Sequence, residues 1–405
     1  MAGDIAPMRI TALETVRLPP YDNILWVRLH TSEGIVGLGE TFRGAAAVEA
    51  HLPAEVAPQL IGADPSRLDA IAHELTRPYV GFRSSGAEIR AASAVDIALW
   101  DIAGQALGQP IVALLGGTTR PAIAPYNTCA GYAYNARGSR RTVAEGDTAA
   151  GPYDDQIAFT RDAGALALSL KEIGIWAMKI WPFDAYAAAT AGQMIGPGEI
   201  DRALVPFRQI REAVGTSMQV MVELDSLLEG PAALAIAHAM RAFDPFWMED
   251  PLRMADPQAL ADYRRMSGLP VCASETLATR SQFLDLLRAD AVDYVMLDIG
   301  WCGGLTEAKQ IATLAEAHQR PVAPHDCTGP VVFTAFTHLA LNLPNAAFME
   351  SVCAYWSGWY RDLVTALRIV KHGMVSLPPG PGLGLALQPD VLAPGHTRIT
   401  TEKDL

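Results

Sequence analysis

The spacing of apolar positions changes character twice along this chain. Between residues 8 and 40 apolar and polar residues alternate, as in Ile10–Val16 and Ile24–His30. A period of two, broken by turn residues at Ser32-Glu33-Gly34, predicts an antiparallel meander. From 45 to 116 the period becomes helical, and Ala91–Ala103 reads as an apolar helix whose small residues permit close packing. Beyond residue 120 the pattern is one of short apolar runs bounded by turns, the mark of buried parallel strands.

Six of those runs close on an ionisable residue at a near-constant interval. Gln219–Glu223, Pro245–Glu249 and Val271–Glu275 end in glutamates 26 residues apart. Asp293–Asp298, Pro321–His325 and Ala346–Glu350 follow at steps of 23, 27 and 25 residues. Upstream, Trp176–Trp181 carries Lys179, and Ile123–Asn127 reads as the opening strand. One strand, one helix and two short loops take about 25 residues, and eight such strands close a barrel whose site lies at their C-terminal ends. The expected fold is therefore α/β, a TIM-like barrel preceded by an α+β unit that covers it.

Composition narrows the partners. Hydrophobic residues make up 50% of the 405, enough for a large core, and the net charge of −13 argues against nucleic acid. No apolar run nears the roughly 18 residues of a membrane helix, and Met1-Ala-Gly-Asp-Ile5 lacks the parts of a signal peptide. Five cysteines (129, 272, 302, 327 and 353) without paired spacing fit reduced core thiols of a cytoplasmic protein.

Three carboxylates around one barrel mouth repel one another, and a divalent cation relieves that repulsion. Oxygen ligands alone favour Mg²⁺, one per subunit, at Glu223, Glu249 and Glu275. Positions left open on the ion suit a small carboxylate substrate, whose α-hydrogen becomes easier to remove as an enediolate is stabilised. His325 has the pKa range of a base for that step, and Asp298 on the preceding strand can fix its tautomer. Glu350, if protonated, can donate to the developing oxyanion. Lys179 can bind the substrate carboxylate or act as a second acid/base; read alone, it is also a plausible interior ion-pair partner, as Asp298 is a plausible helix cap. Asp225 points the same way as Glu223 and can meet substrate or serve only a loop. The stretch 129–160 interrupts the beat and is a candidate lid; its Arg137–Arg141 cluster suits a carboxylate, or simply solvent.

Several motifs resemble the enolase superfamily, in its mandelate racemase branch. They are Asp96-Ile-Ala-Leu-Trp-Asp101 with Leu115-Gly-Gly117, Trp247-Met-Glu-Asp-Pro251, Ala273-Ser-Glu275, Cys302-Gly-Gly-Leu-Thr-Glu-Ala308 and Pro324-His325. The resemblance implies a modified (β/α)7β barrel at 121–374, an α+β capping domain at 1–120, and a segment 375–405 that returns to complete the cap. It implies Glu223, Glu249 and Glu275 as Mg²⁺ ligands, Asp298 and His325 as a base dyad and Glu350 as the electrophile. Cap residues around Tyr21–Asn23 and Phe42–Arg43 would close over substrate, giving Tyr21 and Arg43 binding roles. It also implies a homo-oligomer, dimer to octamer.

One position departs from the branch. Racemases similar to this chain carry Lys-x-Lys on the second barrel strand, whereas here the run is Lys179-Ile-Trp181. Trp181 cannot transfer protons and becomes a substrate-binding candidate, so two-base racemisation is disfavoured. One base suffices to dehydrate, and members with a similar departure are acid-sugar dehydratases yielding 2-keto-3-deoxy acids. The alternatives are a one-base isomerase (a sugar-lactone cycloisomerase or an epimerase) and a sugar-acid-binding protein without turnover.

Overall fold

The computed structural model describes residues 8–77, 84–134, 143, 147–149, 151, 153–368 and 370–405. The alternating N-terminal segment forms strands β1 (Ile10–Val16), β2 (Ile24–Thr31) and β3 (Val36–Phe42) of an antiparallel sheet. Its fourth strand comes from the far end of the chain: Thr397–Thr401 pairs antiparallel with β1, so the C-terminal tail completes the cap.

The helix Ala87–Leu107 lies on β3 at a distance only glycine allows. A Cβ on Gly37 or Gly39 would sit 2.1 or 1.8 Å from the carbonyl oxygens of Ala98 or Ala94. The helix stops at Gly108, whose φ of +64° lets its N–H turn back onto the last carbonyls. Its opposite side holds the barrel. Ser93 Oγ accepts from Gly303 N at 2.9 Å, and Asp96 accepts from Thr306 N at 3.0 Å and Thr306 Oγ1 at 2.6 Å. The Trp100 indole donates to Thr306 Oγ1 at 2.9 Å. Asp101 takes the N–H of Leu38 at 3.0 Å and of Leu383 at 2.8 Å, tying cap strand, helix and tail together. The motif Asp96–Asp101 is thus a row of acceptors and donors for a second layer. Burial pushes the carboxyls of Asp96 and Asp101 up to about 7, against the pull of those donors.

The second sheet is parallel. Chain order runs β4 (Pro125–Thr128), β5 (Ala177–Ile180), β6 (Gln219–Glu223), β7 (Trp247–Glu249), β8 (Val271–Ala273), β9 (Tyr294–Val295) and β10 (Met349–Ser351), with β10 against β4. Among the described residues seven strands form ladders where the beat predicts eight. The run Pro321–His325 is reduced to single bridges from Val322 to Val295 and to Ala346. Pro321 and Pro324 have no N–H to give a ladder. The ring still closes, because Ala323 N bonds Val295 O and Ala347 N bonds Val322 O, each at 2.9 Å. Among the described residues no helix is long and apolar enough to cross a membrane.

Candidate active site

The barrel floor is a layer of Tyr126, Ala177, Met221, Trp247, Cys272, Met296, Ala323 and Phe348, one from each segment. Extended chain returns to the same face every second residue. Two positions beyond seven of these floor residues stand Thr128, Lys179, Glu223, Glu249, Asp298, His325 and Glu350, at the mouth. The apolar period that fills the floor therefore also aims the chemistry. Glu275 is out of phase, three residues past Cys272 and beyond the end of β8.

Carboxylate oxygens of Glu223, Glu249 and Glu275 lie within 4.8 Å of one another. Each is braced differently. Glu223 Oε1 accepts from the N–H groups of Leu224 at 3.1 Å and Asp225 at 2.7 Å, aimed back by a turn with φ of +53° at Asp225. Glu249 Oε2 accepts from the Trp247 indole at 2.8 Å. Glu275 Oε2 stands 3.1 Å from His325 Nε2. Burial and the charge of Glu223 push Glu249 well above the usual carboxylate range. Such crowding of hard oxygen donors suits a divalent cation such as Mg²⁺.

Lys179 reaches this cluster from β5. Its Nζ is 3.2 Å from Glu223 Oε2 and 3.0 Å from Glu350 Oε1, and it also donates to Glu249 Oε1. Burial would lower its pKa, but Glu249 and Glu350 raise it well above the ordinary lysine value. Lys179 is held as an ammonium.

His325 is fixed from both sides. Nδ1 lies 2.7 Å from Asp298 Oδ2, while Asp298 Oδ1 accepts from Gly300 N at 2.6 Å. Asp298 is thus both a helix cap and the partner of the imidazole. Burial lowers the His325 pKa, yet the carboxylates of Glu275 and Glu350 and the bond to Asp298 prevail and lift it to about 10. Glu350 accepts from Thr128 Oγ1 and Lys179 at one oxygen and from Asp326 N, 2.8 Å away, at the other. Burial raises its pKa, but Lys179, His325 and these donors bring it below the ordinary value. Its neighbours therefore favour the ionised acceptor, whereas the donor role read from the sequence is conditional on protonation.

A small pocket opens over these groups, lined by Phe42, Arg43, Thr128, Tyr134, Lys179, Trp181, Glu223, Asp225, Glu275, His325, Cys327 and Glu350. Of the residues read as substrate-binding, Arg43, Trp181 and Asp225 line it and Tyr21 does not. The Tyr21 ring stacks on Trp359, centroids 4.4 Å apart. The Arg137–Arg141 cluster lies outside the described residues. Thr128, Tyr134 and Cys327 were not singled out by the sequence pattern, nor was Trp247 beneath Glu249. The two-residue phase from Tyr126 would have found Thr128.

A closed ring of parallel strands, with a carboxylate trio beside an imidazole–carboxylate pair at its C-terminal mouth, has its ionisable groups where barrel enzymes carry their active sites. Residues 162–391 match the family model for enolase C-terminal domain-like proteins. Residues 4–116 match that for the mandelate racemase/muconate lactonizing enzyme N-terminal domain. The chain belongs to the enolase superfamily, in its mandelate racemase group. A mandelate racemase subgroup enolase from Agrobacterium tumefaciens superposes with a TM-score of 0.87 at 48% identity, over 98% of this chain and 100% of that one. The D-gluconate dehydratase of Thermoproteus tenax is 30% identical over 90% of this chain and 68% of its own length. A D-galactonate dehydratase of Xanthomonas campestris is 30% identical over 95% of this chain and 94% of its own.

Proposed function

We propose that this chain is a Mg²⁺-dependent hydro-lyase of acid sugars, with His325 as its single base. The observation that carries the reading is the His325 Nδ1 to Asp298 Oδ2 bond of 2.7 Å, made at the rim of the glutamate trio. That bond fixes the ring so that Nε2 faces the pocket. When bound at Glu223, Glu249 and Glu275, the ion would offset their charge, ease deprotonation of His325 and draw electron density from the substrate carboxylate. His325 Nε2 takes the α-proton, and the same protonated ring returns it to the β-hydroxyl as the C–O bond breaks. Water leaves, and the enol tautomerises to a 2-keto-3-deoxy acid. Lys179, kept as an ammonium by three carboxylates, supplies positive charge at the opposite wall and is not a second base.

The relatives act on different sugars, so the substrate is found by screening. Purified protein with Mg²⁺ is presented with mono- and diacid sugars, and 2-keto acid is captured with semicarbazide. His325→Asn is expected to abolish turnover while Mg²⁺ binding by calorimetry persists. An active His325→Asn variant removes His325 from the mechanism. Isomerised product without keto acid overturns dehydration in favour of isomerisation, and tight binding without turnover of any sugar overturns enzymatic function.

A further inference from the structure

The cap and the base dyad are bonded through one short stretch, Asp298 to Trp301. Asp298 holds His325 with one oxygen and takes the Gly300 N–H, at 2.6 Å, with the other. The carbonyl of the same Gly300 accepts from Thr41 Oγ1 at 2.7 Å. The Trp301 indole N–H donates to the carbonyl of Phe42 at 2.8 Å, and its ring runs parallel to Phe42, 6° apart in plane and 6.3 Å between centroids. That indole also stands 6.2 Å from the His325 ring, with the Arg90 guanidinium 4.8 Å from its centroid. Thr41 and Phe42 are the last residues of β3, and Phe42 and Arg43 line the pocket. Thr41 and Trp301 are themselves buried. The backbone that carries the dyad's carboxylate is therefore joined to the backbone that brings the covering residues.

Taking His325 as the base proposed above, we propose that Thr41 and Trp301 are positioning residues that register the end of the cap sheet against the Asp298–His325 pair. Substrate cover and base are then set by one piece of structure, and the cap is part of the catalytic geometry rather than a roof alone. Each bond by itself contributes little to stability, whereas base geometry acts steeply on rate.

Thr41→Val and Trp301→Phe each delete one donor with little change of shape. Trp100→Phe deletes a comparable cap–barrel bond, Trp100 Nε1 to Thr306 Oγ1, away from the dyad, and serves as control. The first readout needs no substrate: the Nδ1–H proton resonance of His325, assigned by its loss in His325→Asn. It is expected to shift and exchange faster in Thr41→Val and Trp301→Phe, and to stay in place in Trp100→Phe. On a turned-over acid sugar, both variants should lose roughly tenfold in kcat and move the acid limb of the kcat/KM–pH profile, with Mg²⁺ affinity unchanged. Trp100→Phe should lower the melting temperature alone. A wild-type resonance and pH profile in both variants, or an equal shift in Trp100→Phe, overturns the proposal. Protein inert towards every acid sugar removes the dehydratase reading instead, and the spectrum still decides the coupling.

Discussion

Replacing Lys179 by Met keeps most of the length of the side chain and removes a buried charge that faces three carboxylates. Its Nζ lies 3.2 Å from Glu223 and 3.0 Å from Glu350, and it bonds Glu249 as well. Its side chain is 3% exposed, so water cannot replace it. Removing one partner of a buried ion pair costs about 3–5 kcal/mol, because the other charge is left without compensation. For a cooperative melt of this size that is a drop of ~5 °C. The test is thermal unfolding of both proteins in EDTA at pH 8, repeated with saturating Mg²⁺. The deficit should be full in EDTA and smaller with Mg²⁺, which binds the folded carboxylates and supplies the lost charge.

The contribution of Glu223 to the pH dependence should change as well. Burial raises the Glu223 pKa, but Lys179, a hydrogen bond with Glu249 and the Asp225 N–H together hold it at about 2. A depressed carboxylate contributes stability that is present above about 4.5 and lost as pH falls through about 2. Without Lys179 that depression shrinks, Glu223 and Glu249 protonate more readily, and the variant should gain stability as pH falls from 8 to 5. A Lys179→Met protein within about 1 kcal/mol of wild type in EDTA at pH 8 would refute the claim that this ammonium holds the cluster together.

Gly39→Ala should unseat the cap sheet from the helix Ala87–Leu107 and leave the protein largely insoluble, since its Cβ would meet the Ala94 carbonyl oxygen at 1.8 Å; soluble protein with a normal melting curve would contradict this. Trp247→Phe keeps the floor filled but frees Glu249 Oε2, and should weaken Mg²⁺ binding by about tenfold or more, measured by titration calorimetry. His338 is buried between the Val112 N–H and the Leu383 carbonyl, each at 3.2 Å, and burial lowers its pKa to about 4. The unfolded chain therefore takes a proton first as pH falls. Stability from His338 should be lost between about 6.5 and 4, up to about 3 kcal/mol, and His338→Gln should show a shallower slope over that range in urea titrations.

The mouth of the barrel was legible because two periods coincide there. Strand ends recur about every 25 residues, and all but the one ending in Glu275 carry their functional group in phase with an apolar floor residue. Glu223, Glu249, Asp298, His325 and Glu350 all sit on that grid, and Glu275 was caught by the beat although it is out of phase. What stayed hidden depends on pairing across the fold. Glu40 looks like one polar residue in a strand, yet it accepts from the Trp26 indole at 2.7 Å and from Val332 N at 2.9 Å, at the start of the helix Pro330–Asn342. Trp301 reads as core, and its bond to Phe42 spans 259 residues of sequence. The reduction of the eighth ladder to single bridges follows from Pro321 and Pro324, which have no N–H to give.

The two walls of the pocket explain why one base is the economical reading of this site. Where a second lysine would project, Trp181 packs against Tyr134 at 5.6 Å and Phe159 at 5.4 Å between ring centroids. An aromatic wall can press a carbon chain towards the opposite side but cannot exchange its hydrogens. Lys179, two residues earlier, is committed to Glu223, Glu249 and Glu350, and their charges oppose the loss of its proton. On the proposed mechanism the α-hydrogen therefore leaves on the face of His325 alone, and the same imidazolium delivers it to the β-hydroxyl. An enediolate approached from one side is not inverted, and with a β-hydroxyl within reach of the same imidazolium, elimination is the outlet that this geometry leaves open.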